Sequence, residues 1–238
     1  NGCFDLSQRC AGIPAPTGAH FYASVLFTTL CTRVASFGIL APGTTFSMKV
    51  FDHWDYASLA VLARSILEIR ISFFYLCVQE CTPAEWDYRW NLFNLHDCSS
   101  RINLFEEVDP SSNDLPDFRA QAEELRSRLK KNDVLTALSG SEQRRLLHGK
   151  HAYSVPLESI AEQAGVPLRK FRLLYKFLSS HVHGLPMSFY RVGEDARGRG
   201  VYCEVEDGYS AFCVSFVHDL MAVTLEEMRS LFRPYIGR

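Results

Sequence analysis

Apolar positions crowd two long stretches in the first third of the chain, and their spacing is helical. One runs from about His20 to Leu40 and stops at Ala41-Pro42-Gly43. The other runs from about Trp54 to Glu80 and is apolar on nearly every face. A helix apolar all round belongs in the middle of a bundle. Between them, Phe46 to Phe51 reads as a short strand or irregular connection, and Asp52-His53-Trp54-Asp55 is placed to cap the second helix. Thr82-Pro83-Ala84-Glu85 then spells a capping box, with Pro at the first helical position, so a third helix starts there carrying Trp86, Trp90, Leu92 and Leu95 inward.

Downstream the pattern becomes amphipathic. Glu106 to Asp117, acidic and broken by Pro110 and Pro116, reads as a loop. Phe118, Ala122, Leu125 and Leu129 recur at helical spacing with charges between them, which predicts a surface helix. A short helix over Glu142 to His148 ends at Gly149. Leu157 to Ala164 and Leu168 to His183 read as two helices joined by Gly165-Val166-Pro167, and a last helix spans Tyr209 to Phe232. Arg191 to Gly208 is Gly-rich and charged, with a hairpin predicted around Val201 to Val205. The sum is an all-α, single-domain bundle over 1–238, of about seven helices with at most a small β-hairpin, flexible at residues 1–16 and in the loop 193–207.

Composition narrows the class. At 47% hydrophobic and 22% charged, the chain is too apolar for disorder. Its net charge of −2 advertises no global attraction to nucleic acid. The eight cysteines contain no CxxC pair and no zinc spacing, so reduced structural thiols in a cytoplasmic protein are expected, with no metal and no cofactor. Phe21 to Ala41 and Ala57 to Val78 are long enough to span a bilayer. However, Arg33 interrupts the first, and Arg64, Glu68 and Arg70 the second, which favours soluble core helices and no membrane partner. Residues 1–16 lack a signal-peptide pattern, and the chain opens on Asn rather than Met, which leaves room for residues upstream.

Arg64 and Glu68 stand four residues apart inside the most apolar helix, where an unpaired charge is costly. They form either a self-satisfied ion pair or a charged site facing a cleft. Arg172, Tyr175, Ser179 and His183 make a polar stripe at spacings of three, four and four, and His181 joins His183 at that helix's end. Such a stripe is either a solvated face or a site. If the two sets face each other, Arg64 would hold a phosphate or a carboxylate, Glu68 would orient His183, and His183 would move a proton. Tyr175, Ser179, Arg172 and His181 would bind substrate. Ser159 to Pro167 followed by Arg169, Lys170, Arg172 and Lys176 supports a competing helix-turn-helix reading. A non-catalytic ligand- or partner-binding bundle is the remaining alternative.

Ala63-Arg64-Ser65-Ile66-Leu67-Glu68, followed by the Trp-rich third helix, resembles the "ARSLLE" helix of a bacterial helical family of unknown function. Tyr175 to His183 resembles that family's "YxxLSxxVH" helix. The family is similar in turn to the HEPN superfamily of helical bundles. That resemblance implies metal-independent RNA cleavage, a defence or toxin-antitoxin role, RNA or a nucleotide as partner, and a homodimer. The HEPN hallmark is an Arg separated by four to six intervening residues from a His near a helix end. No Arg stands so before His181 or His183, where Lys176 is the nearest analogue, whereas Arg145 and His151 fit by count in a predicted loop.

Overall fold

Residues with strong helix preference and apolar periodicity fold as that pattern requires. The computed structural model describes residues 2–49 and 51–236, and among these it is all-α, with no strand. Val50, within the predicted connection Phe46 to Phe51, lies outside the described residues. Among the described residues there are eleven α-helices rather than about seven. The additional ones are short or lie where no long apolar period exists: α1 (Gly2–Cys10), α6 (Asp133–Thr136) and α10 (Pro186–Phe189). The longer ones are α2 (Gly18–Leu40), α3 (Tyr56–Phe73), α4 (Pro83–Val108), α5 (Leu115–Lys130), α7 (Gly140–Leu147), α8 (Leu157–Gln163), α9 (Leu168–Val182) and α11 (Glu204–Phe232).

The described residues group into two compact units. One comprises those up to Val78 together with those from Ile160 onward, and the other is Gln79–Ser159. In the first, α3 is the central rod and packs against α2, α9 and α11. Leu59, Ala63, Ile66, Leu67 and Phe73 on α3 are all fully buried, as its all-round apolar pattern demands. Asp55 caps α3 by accepting from Ser58 N at 3.0 Å. The helix ends in one π-turn, Phe74–Val78, which shifts the register of its last residues. α1 seats Leu6 and Cys10 against α2 and α11.

The predicted hairpin over Val201 to Val205 is not formed. Glu204, Glu206 and Asp207 instead make an acidic first turn for α11, which opposes the positive end of the helix dipole. The segment before it is pinned by long-range bonds. Gly200 O accepts from Trp54 N at 3.1 Å, Trp54 Nε1 donates to Asp207 Oδ1 at 3.1 Å, and Gly198 N donates to Glu206 Oε1 at 2.7 Å. A 3₁₀ turn at Glu194–Ala196 lies within it.

In the second unit, α4 begins with the capping box the sequence spells, Thr82 and Glu85 each bonding the other's backbone N–H. Tyr88, Leu92, Leu95 and Cys98 of α4 form its core with Ala122 and Leu129 of α5, Leu135 of α6 and Leu146 of α7. The predicted loop Glu106 to Asp117 shrinks, because α4 continues to Val108 and α5 starts at Leu115.

All eight cysteines are free thiols, six of them buried, and burial pushes Cys77 and Cys213 up to about 12. Such thiols stay protonated at neutral pH and act as small core groups. Two helices, α2 and α11, are long and apolar enough to cross a membrane by length and composition alone. The stretch Ala57 to Val78, on α3, is not among them, and α2 leaves Phe21 52% exposed and Val25 46% exposed.

Candidate ligand site

α3 and α9 lie side by side, which brings four of the seven predicted site residues into one network. Arg64 Nη1 is 2.6 Å from Glu68 Oε1, and Arg64 Nε donates to Ser179 Oγ at 3.2 Å. The guanidinium carbon lies 3.6 Å from the centre of the Tyr175 ring, a cation–π stack. Arg64 is 9% exposed, so this network occupies most of its surface. Glu68 is about half exposed, at 49% of its side chain. Nη1 is not aligned for a hydrogen bond to the carboxylate and is buried without one. The arrangement holds α3 against α9. Arg64→Met is expected to cost about 1–2 kcal/mol of stability through the lost cation–π and charge-assisted contacts, read by urea unfolding.

The other three predicted residues lie elsewhere. His183 is the C-cap of α9, where the chain leaves the helix, and its side chain is exposed, outside the Arg64 network. Arg172 is also exposed. Of the basic residues in the helix-turn-helix reading, Arg169 is exposed and Lys170 lies 3.8 Å from Asp219. On that same helix Phe171, Leu174 and Leu178 are spent on the core.

His181 faces a different surface. Its ring meets Phe177 edge-on at 4.8 Å and Tyr56 at 5.2 Å, both between ring centres. Nδ1 lies 2.9 Å from Phe177 O. A carbonyl can only accept, so Nδ1 carries the proton and the neutral ring keeps its lone pair on Nε2. Nε2 is buried and has no partner.

That ring borders a cavity of about 410 Å³ lined also by Tyr56, Ser188, Arg191, Arg197 and Tyr209, with no carboxylate in the lining. The volume falls in the range of small-molecule sites. Arg197 is held with its side chain 14% exposed, its Nη2 3.7 Å from Asp195 Oδ2 and its Nε buried without a partner. Glu206 is 1% exposed and accepts from Gly198 N through Oε1, while its Oε2 has no partner. Burial, followed by the Glu206 charge, pushes the Tyr56 phenol up, so it remains a donor at neutral pH. Among the described residues no cluster of three His, Cys, Asp or Glu is placed to hold a metal ion.

Tyr56, Arg191, Arg197 and Tyr209 were not singled out by the sequence pattern. The two arginines fall in the Gly-rich, charged segment after α10, which the sequence pattern assigns to a hairpin and loop.

The family model for DUF5677, a family of unknown function, matches residues 20–199, which include α3, α9 and both arginines of the cavity. The chain belongs to this family. Among curated proteins and among solved structures, nothing matches it. As a DUF5677 member it carries the Arg64 network and His181 inside the matched region, whereas α11, with Tyr209 of the cavity wall, lies beyond it.

Proposed function

We propose that this protein acts on a phosphate-bearing substrate bound in the His181 cavity. The observation that carries the reading is the state of that ring. A backbone carbonyl fixes its tautomer, its other nitrogen is buried without a partner, and the residue lines a cavity that also has two arginines and no carboxylate in its wall. Arg191 and Arg197 supply the charge a phosphate needs, Arg197 at low exposure where that charge is least screened. Tyr56 and Tyr209, tilted rings 5.1 Å apart, offer hydrogen bonds and an aromatic wall. His181 is then the group that exchanges a proton, through Nε2, in the role the sequence pattern gives to His183. Arg64, Glu68, Tyr175 and Ser179 support it by holding α9 against α3. RNA is the substrate implied by the HEPN-like motifs, and cytoplasmic residence and a homodimer belong to the same reading.

The test compares the unaltered chain with His181→Gln and Arg197→Gln in nucleotide-binding and RNA-cleavage assays, with circular dichroism to verify folding. His181→Gln is expected to lower turnover by about 10²–10⁴-fold while binding persists. Arg197→Gln is expected to weaken binding by about tenfold. Binding and turnover unchanged in both folded variants would sink the reading. Binding without turnover in the unaltered chain would reduce it to a non-catalytic ligand module.

A further inference from the structure

We propose that a second site, in the Gln79–Ser159 unit, binds an organic phosphate of about nucleotide size. A cavity of about 610 Å³ is lined by His96, Arg145, Lys150 and His151, together with Tyr153 and Pro156, and no carboxylate lines it. Four groups that are or can become cationic converge there from three segments of chain: α4, α7 and the stretch after Gly149. In this same unit Arg119 pairs with Glu106 and Arg128 with Glu124. Arg145 and Lys150 have no such ion pair among the described residues.

The site is also positioned. His96 Nδ1 lies 3.1 Å from Gly149 O, so that nitrogen carries the proton and ties α4 to the start of the loop. The Tyr153 ring packs on Phe93 at 6.0 Å, which fixes the loop's aromatic wall. Burial comes first, and Arg145, His96 and Lys150 follow, in pushing the His151 imidazole down from its ordinary value. Mutual repulsion among cations is what an incoming anion relieves.

Phosphate is the anion that best uses this set, because it presents several acceptor oxygens to a fork donor, a point charge and two imidazoles at once. The cavity is larger than a bare phosphate, and Val155, Pro156 and Tyr153 give it apolar and aromatic lining. The ligand therefore has an organic body beyond its phosphate. This site shares no residue with the His181 cavity, and each proposal can fail alone.

The experiment is a histidine-resolved NMR titration of the whole chain with AMP and, separately, with inorganic phosphate. AMP is expected to move the His151 and His96 signals saturably, and to raise the His151 pKa, so that affinity grows as pH falls through the neutral range. AMP should bind at least about tenfold tighter than phosphate. The double variant Arg145→Gln, Lys150→Gln should lose at least about tenfold in affinity with an unchanged melting temperature. No saturable movement of His151, or the same movement in the double variant, overturns the site. Phosphate binding as tightly as AMP overturns the organic-body assignment. Movement of the His181 signal bears on the other cavity.

Discussion

Glu227→Met is expected to destabilise the unit that contains it by about 3–5 kcal/mol, whereas Arg70→Met combined with Glu227→Met is expected to be neutral or stabilising. Arg70 is 2% exposed, deep on α3 between the Phe73 and Phe74 rings, whose centres lie 5.8 and 5.6 Å from its guanidinium carbon. Its Nη2 donates to Glu227 Oε1 at 2.8 Å. The other half of each group is unmet, since Arg70 Nη1 and Glu227 Oε2 are both buried without partners. Burial pushes the Arg70 guanidinium down and the Glu227 carboxyl up, in each case against the pull of its partner. Desolvation thus exceeds mutual attraction on both sides.

Removing only the carboxylate leaves a permanent charge on a nearly buried guanidinium that has lost its acceptor, because an arginine cannot shed its proton near neutral pH. Removing both leaves apolar groups of similar length in an apolar helix. Glu227→Gln keeps an acceptor oxygen at the same place and should fall between the two. Urea unfolding at pH 7 of the three variants decides it. A single Glu227→Met within about 1 kcal/mol of the unaltered chain, or a double variant as damaged as the single, would show that the pair is not sealed as described.

This pair also marks where sequence reading runs out. Apolar periodicity identifies α3 as the central helix, and the same periodicity makes Arg64 and Glu68 conspicuous because they are four residues apart on one face. Arg70 has a partner 157 residues away on α11, and no local pattern reports such a distance. The polar stripe on α9 was legible for a physical reason. Tyr175 and Ser179 do face Arg64, as helical spacing requires. His183 is the C-cap of α9, still bonded through its N–H to Ser179 O, and its exposed side chain stands apart from the Arg64 network. Two positions earlier, His181 meets Tyr56 and lines a cavity whose wall also includes the segment after α10. The Val201 to Val205 alternation suggested a strand, but the carboxylates of Glu204, Glu206 and Asp207 begin a helix that Phe216, Leu220 and Met228 anchor in the core. Tertiary burial overrides a weak local period.

Gly149→Ala is expected to cost at least about 3 kcal/mol, combining a left-handed backbone penalty of about 1–2 kcal/mol with a steric clash. Gly149 follows α7 with φ +82°, and a methyl group there would sit 2.0 Å from Ser99 Oγ, 2.9 Å from Ser99 Cβ and 3.3 Å from Leu95 O. The Ser99 hydroxyl is buried, and Leu95 is a core residue of α4, so neither neighbour has open space to move into. The same glycine's carbonyl is the oxygen that holds His96. Displacing it should loosen the loop carrying Lys150 and His151 along with the fold.

A double-mutant cycle separates the two contributions. Ser99→Gly alone should cost about 1 kcal/mol as a glycine in a helix interior. Added to Gly149→Ala, it removes both side-chain clashes, so the double variant should be more stable than the sum of the single costs predicts. Chemical unfolding of the four chains gives the coupling, and the His96 and His151 NMR signals report the loop. Strict additivity would mean that α4 and the loop already separate at this point. A favourable coupling with restored His96 signals would mean that Gly149 is required by the close approach of the loop to α4, and that the geometry of the basic cavity depends on that approach.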